Sequence, residues 1–194
     1  MLNHKDIPLI YDAGSIMDIL QGIPLPNKTN SDCVVGCNTQ EVEKISNVLN
    51  LGLPIKSIFY FRLNKEFVGS IHKDININAP DSSPMYGLNL PLANCEQVYM
   101  KWFIQNDSTV NDESVAGPRA EFYATASTAR SLPMLNKNNA TCIDTINYNS
   151  VKLVNINDWH AVDNYSTEDY AYFISIRFMR HVKTSMDLPM NEWL

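Results

Sequence analysis

Beyond Pro54 the chain is almost entirely short segments rich in aromatic and β-branched residues, each closed by a turn, and this limits its fold more than any other feature. Residues 57–63 (SIFYFRL) read as a strand, Asn64-Lys65-Glu66 as a turn, and residues 67–72 as the returning hairpin partner. Residues 86–92 and 97–103 follow as strands around a loop at 93–96. The polar stretch 108–118 reads as a mobile loop, and 120–126 and 150–155 as further strands. Residues 159–162 and 171–179 are expected to form a last hairpin around 164–169. No β-α alternation is present, so a parallel sheet is excluded, and seven or eight short strands predict a β-sandwich or small barrel.

The N-terminal part differs. Residues 1–32 read as an irregular lead-in with Pro8, Pro24 and Pro26 and a short helix over 15–20. Residues 39–49 predict the clearest helix, with Thr39 as its cap, Glu41 and Glu43 in its first turn, and Val42, Ile45, Val48 and Leu49 at helical spacing. Asn50 and Gly52 are expected to end it. A chain of 194 residues suits a single domain over 1–194, with a lead-in and helix at 1–52 and a β-barrel core at 53–180.

Composition removes several classes of function. A formal charge of −6 and a pI near 5.1 argue against a broad nucleic-acid-binding face. No apolar run approaches the roughly 20 residues of a membrane helix, and the start MLNHKDIPLIYD lacks the apolar core of a secretory signal. Cys33, Cys37, Cys95 and Cys142 are too scattered for a disulfide scaffold, and the Cys33/Cys37 pair has no second ligand pair downstream. Plain thiols in a reducing, cytoplasmic compartment are expected.

The sharpest chemical feature is Ile71-His72-Lys73-Asp74. Alternate residues of a strand point to the same side, so His72 and Asp74 can reach one metal together. Two imidazoles and one carboxylate make the facial set of non-haem Fe(II), which leaves open positions for other ligands. His160, 88 residues on and at the start of another expected strand, is well placed to be the third ligand. The plainer reading of His72 and Asp74 is a hydrogen-bonded pair at a strand end.

The runs IHKD, GLNLPLANC, WHAVDNYS and ISIRF resemble the small 2-oxoglutarate/Fe(II)-dependent oxygenases found in phages and marine microbes. The resemblance covers roughly residues 57–179. It implies a mainly β double-stranded β-helix, a jelly-roll or cupin-like barrel, with one or two N-terminal helices. It further implies that His72, Asp74 and His160 bind Fe(II), and that 2-oxoglutarate chelates the metal through its 2-oxo and C1 carboxylate groups. For a viral protein the compartment becomes the host cytoplasm.

The far carboxylate of 2-oxoglutarate needs a cation, for which the planar fork of Arg is best suited. Many relatives carry that Arg about ten residues past the distal His, where this chain has Tyr170 and Ala171. The available residue is Arg177, 17 residues on, with Ser175 on the same strand face. Asn89 and Lys101 are further candidates, and each also reads as an ordinary strand residue. Arg177 is expected to affect 2-oxoglutarate binding with little effect on iron, since it is not a ligand. Tyr60, Tyr99 and Tyr172 offer hydroxyls of undetermined facing, Asn164 suits a turn, Trp102, Phe103 and Trp159 suit the core, and His4 and His181 suit the surface. Arg119 and Arg130 flank a middle segment suited to substrate loops.

Together these readings give an O2-dependent hydroxylase acting on an organic or protein substrate and releasing succinate and CO2. The alternative is a cupin-like metal-binding or catalytically inactive β-barrel module. Neither the substrate nor the oligomeric state is legible in the strand pattern.

Overall fold

The computed structural model describes residues 3–23, 33–53, 55–75, 86–107, 114–116 and 132–178. Two helices, α1 (Ala13–Leu20) and α2 (Thr39–Leu49), accompany twelve strands among them. The strands are β1 (His4–Asp6), β2 (Cys33–Gly36), β3 (Ile55–Asn64), β4 (Ile71–His72), β5 (Tyr86–Ala93), β6 (Val98–Gln105), β7 (Ser114–Ala116), β8 (Leu132–Leu135), β9 (Ala140–Asn147), β10 (Lys152–Asn155), β11 (His160–Asn164) and β12 (Tyr170–Phe178). They form two antiparallel sheets, ordered β1-β10-β5-β12-β3-β2 and β7-β8-β4-β11-β6-β9. The result is a mainly β sandwich with the helices on its outer face.

The local signals explain the helices. Asp12 caps α1 by accepting from the Ser15 N–H at 3.1 Å. α2 starts one residue earlier than its expected cap: Asn38 accepts from the Glu41 N–H at 3.0 Å, and the Glu41 carboxylate accepts from the Asn38 N–H at 2.6 Å. This reciprocal capping box makes Thr39 the first helical residue. Asn50 closes the helix in the left-handed region at φ 45°. Ile16, Leu20, Ile45 and Leu49 then pack on Ile58, Tyr60, Leu88, Leu90, Ile174 and Ile176 of the first sheet. Each such aliphatic side chain contributes about 1.5–3 kcal/mol when fully buried.

Because alternate residues face opposite ways, this helix-covered face fixes what β5 and β12 present between the sheets. On that inner side lie Gly87, Asn89, Ser175 and Arg177, with Ser175 directly opposite Asn89. One end of the intersheet space is filled by Leu63, Val98, Met100, Trp102, Tyr148, Val154, Ala171 and Phe173. The other end is polar.

Both expected hairpins are absent. β3 already has β2 on one side and β12 on the other, so the chain after Asn64 has no free edge to return along. It turns at Glu66 (φ 61°) and crosses to the second sheet, where β4 pairs with β11 and β8. Likewise β11 and β12 lie in different sheets, and the segment between them is a corner rather than a hairpin turn. The strand β9, the short strands β1 and β2, and the extra pair β7–β8 were not legible from the sequence. The expected strand at 120–126 lies outside the described residues, as does most of 108–118 apart from β7. Among the described residues no helix is long and apolar enough to cross a membrane.

The crossing after β3 is tight. The Gly69 N–H donates to the Val162 carbonyl at 3.0 Å, and a Cβ on Gly69 would lie 2.4 Å from that oxygen. The obstacle is backbone, so an added methyl must push two segments apart. Gly69→Ala is expected to cost about 1–3 kcal/mol of stability, the range of overpacking. An unchanged urea-unfolding midpoint would count against this account of the crossing.

Candidate metal centre

The short strand β4 carries His72, and β11 begins with His160; the two are direct partners across the antiparallel ladder. Their imidazoles face the intersheet space with ring centres 4.4 Å apart. Asp74 follows two residues after His72, its N–H donating to the Ile156 carbonyl at 2.9 Å. One ligand atom from each of His72, Asp74 and His160 falls within a group in which all separations are at most 4.8 Å.

Each imidazole is oriented by a backbone carbonyl. His72 Nδ1 lies 2.9 Å from the Ser70 oxygen, and His160 Nδ1 lies 2.9 Å from the Asp158 oxygen. A carbonyl only accepts, so each Nδ1 carries the proton and each Nε2 is left with a lone pair. Two aimed Nε2 atoms and a carboxylate suit a divalent transition metal such as Fe(II), Mn(II), Co(II) or Ni(II). The carbonyls of Ser70 and Asp158 leave no signal in the sequence, since any residue supplies one.

Burial, reinforced by the neighbouring His72, lowers the pKa of His160 to about 4. Burial alone would raise the Asp74 pKa, but the His72 imidazole, which donates to the carboxylate when protonated in acid, and the Arg177 guanidinium overcome it and hold it below the usual carboxylate range. The cluster is therefore suited to ligation at neutral pH. In metal-free protein a depressed histidine pKa favours the unfolded state under acid, where the unfolded imidazole binds its proton near pH 6.5. Stability is expected to be full above about pH 6.5 and to fall towards pH 4, by about 3 kcal/mol in all at about 1.4 kcal/mol per unit. Urea melts at pH 7 and pH 5 with chelator present measure this, and His160→Gln should flatten the difference. An equally steep loss in the variant would assign it to other groups.

Beside the cluster, the buried Arg177 donates from Nη2 to Asp74 Oδ2 at 2.8 Å and from Nη1 to Ser175 Oγ. Ser175 donates to Asn89 Oδ1, and Asn89 Nδ2 donates to Tyr148 OH at 2.6 Å. The Tyr148 hydroxyl donates to Met100 Sδ at 3.1 Å, a weak acceptor for a fully buried phenol. Arg177, Ser175 and Asn89 thus lie together beside His72, Asp74 and His160. Tyr148 was not singled out in the sequence, because it stands in a connecting segment after β9.

Other candidates lie elsewhere. Lys101 projects from the opposite face of the second sheet, where its ammonium bonds Asp163 at 2.7 Å and the Tyr165 hydroxyl at 2.9 Å. Tyr99 packs near Tyr165 on that face, while Tyr60 stacks with Tyr172 beneath the helices. Asn164 shapes its corner, donating to the Leu63 and Asn64 carbonyls and accepting from the Ser166 N–H. Trp102 is fully buried, and Trp159 is buried with Lys73 over its ring at 4.3 Å. His4, expected at the surface, is half-buried and stacks on Trp102 at 5.8 Å. Arg119, Arg130 and His181 lie outside the described residues.

No known family profile matches the sequence, and no curated protein sequence does. Among solved structures, HygX from Streptomyces hygroscopicus with nickel and 2-oxoglutarate bound is similar at 10% identity and a TM-score of 0.48, over 90% of this chain and 81% of that one. HygX with nickel, 2-oxoglutarate and hygromycin B bound gives 12% identity and a TM-score of 0.47 over the same shares. Peruvianin-I, a cysteine peptidase from Thevetia peruviana latex, gives 9% identity and a TM-score of 0.39, over 90% of this chain and 74% of that one. Likeness this slight carries no argument about fold or function.

Proposed function

We propose that the chain is a 2-oxoglutarate- and O2-dependent non-haem Fe(II) oxygenase on a double-stranded β-helix, hydroxylating an organic or protein substrate. The observation that carries this reading is the convergence of His72, Asp74 and His160, with both Nδ1 atoms held by carbonyls so that each imidazole turns its Nε2 lone pair to ligation. The strand order supports the barrel: taken as one to eight, β3, β4, β5, β6, β9, β10, β11 and β12 run 1-8-3-6 in one sheet and 2-7-4-5 in the other, the arrangement of two Greek keys.

In this reading His72, Asp74 and His160 hold Fe(II), which supplies the activation of O2 that protein side chains lack. Three protein ligands leave room for the 2-oxo and C1 carboxylate groups of 2-oxoglutarate and for O2. Arg177, with N–H groups beyond those given to Asp74 and Ser175, would donate to the far carboxylate, which must leave water to enter the sandwich, and Ser175, Asn89 and Tyr148 line the space beside it. Phe173, Met100 and Trp102 behind them exclude water from the reacting groups.

One observation favours the binding-module alternative. The place where relatives carry their carboxylate-binding Arg holds Tyr170 and Ala171, neither of them a cation, and Ala171 is buried among apolar side chains. Isothermal titration of 2-oxoglutarate into Mn(II)-loaded and metal-free protein separates the two. The oxygenase reading expects saturable binding that requires the metal. Metal binding without any 2-oxoglutarate binding would leave the module.

A further inference from the structure

Arg177 bonds the candidate metal ligand Asp74 itself, which charge pairing with a cosubstrate does not require. Its Nη2 holds Asp74 Oδ2 at 2.8 Å, while Asp74 Oδ1 lies 3.5 Å from His72 Nε2. One carboxylate oxygen is thereby committed to the guanidinium, and the other is turned towards the imidazoles. The guanidinium is fixed in turn, by Ser175 Oγ on Nη1 and the Phe59 ring 5.9 Å from its central carbon. Five N–H donors allow Arg177 to hold Asp74 and Ser175 and still present others to a bound anion.

Gly87 makes this reach possible. A Cβ there would lie 2.0 Å from Arg177 Nη1 and 2.8 Å from its central carbon. These atoms are gripped at both ends, so the guanidinium cannot swing aside without losing Asp74 or Ser175. On the inner face of β5, next to Asn89, any larger residue would occupy the place of the guanidinium.

We propose that Arg177, seated in the space left by Gly87, is a positioning residue that restricts Asp74 to a single ligand oxygen and so sets the affinity and geometry of the metal site. The inference rests on the metal-centre reading above and adds a role that Arg177 has without cosubstrate. Lys at 177 keeps the charge but loses the fork, which separates positioning from simple electrostatics.

The test uses the full-length protein without 2-oxoglutarate. Mn(II) affinity is measured by titration, and the visible spectrum of the Co(II)-loaded protein reports ligand number and geometry. Arg177→Lys and Gly87→Ala disturb one contact from opposite ends, so either suffices if the other fails to fold. Each is expected to weaken Mn(II) binding by about 10–100-fold, the usual effect of losing a group that orients a ligand, and to alter the Co(II) spectrum. Wild-type affinity and spectrum in either folded variant would overturn the inference. Absence of Mn(II) binding by the wild-type protein would instead remove the metal-centre reading, and the inference with it.

Discussion

His160→Ala is expected to abolish divalent-metal binding, and His72→Ala to do the same. The proposed site has three protein ligands, and each imidazole reaches it from a different strand with its Nδ1 already committed. Loss of one leaves a two-ligand site that competes poorly with water. Asp74→Ala should be nearly as severe, since it removes the anionic ligand and leaves Arg177 buried without its partner. Mn(II) titration checks all three, and near-wild-type affinity throughout would eliminate the triad.

Arg177→Leu is expected to raise the 2-oxoglutarate dissociation constant about 30-fold or more. Truncating one member of a buried charge pair costs about 2–5 kcal/mol, and about 1.4 kcal/mol is a factor of ten. From the sequence alone, iron affinity was expected to stay nearly constant. The Arg177–Asp74 ion pair changes that expectation, and metal affinity should shift as well. Isothermal titration at saturating Mn(II) isolates the cosubstrate effect. Lys101→Ala is the control, because its ammonium is spent on Asp163 across the sheet from the cluster. A large loss in Lys101→Ala with none in Arg177→Leu would move the carboxylate partner to Lys101.

The convergence of His72, Asp74 and His160 was legible because its logic is local. His72 and Asp74 sit two apart where a strand ends, and His160 opens a segment of strand-like residues. Ser175 and Arg177 were legible for the same reason, through the alternation of β12. Sheet membership was not. Alternation tells which residues share a face, yet the same pattern serves a hairpin within one sheet and a crossing between two. Residues 67–72 therefore read as the partner of β3 although both its edges are taken by β2 and β12. The strand β9 was hidden because half of its residues are exposed and only Ile146 is buried, as suits an edge strand. Gly87 was invisible for another reason: its role is to leave space for a side chain 90 positions away.

In the proposed reading, His72, Asp74 and His160 would hold an Fe(II) that chelates 2-oxoglutarate and supports its turnover with O2. Anaerobic addition of 2-oxoglutarate to the Fe(II)-loaded protein, followed by visible absorption and then by admission of air, tests this reading. A weak visible charge-transfer band is expected on addition. The band should be absent with succinate in place of 2-oxoglutarate and absent in His160→Ala. It should decay in air as 2-oxoglutarate is converted to succinate. Bound Fe(II) that gives no band, with 2-oxoglutarate recovered intact after exposure to air, would contradict the oxygenase reading.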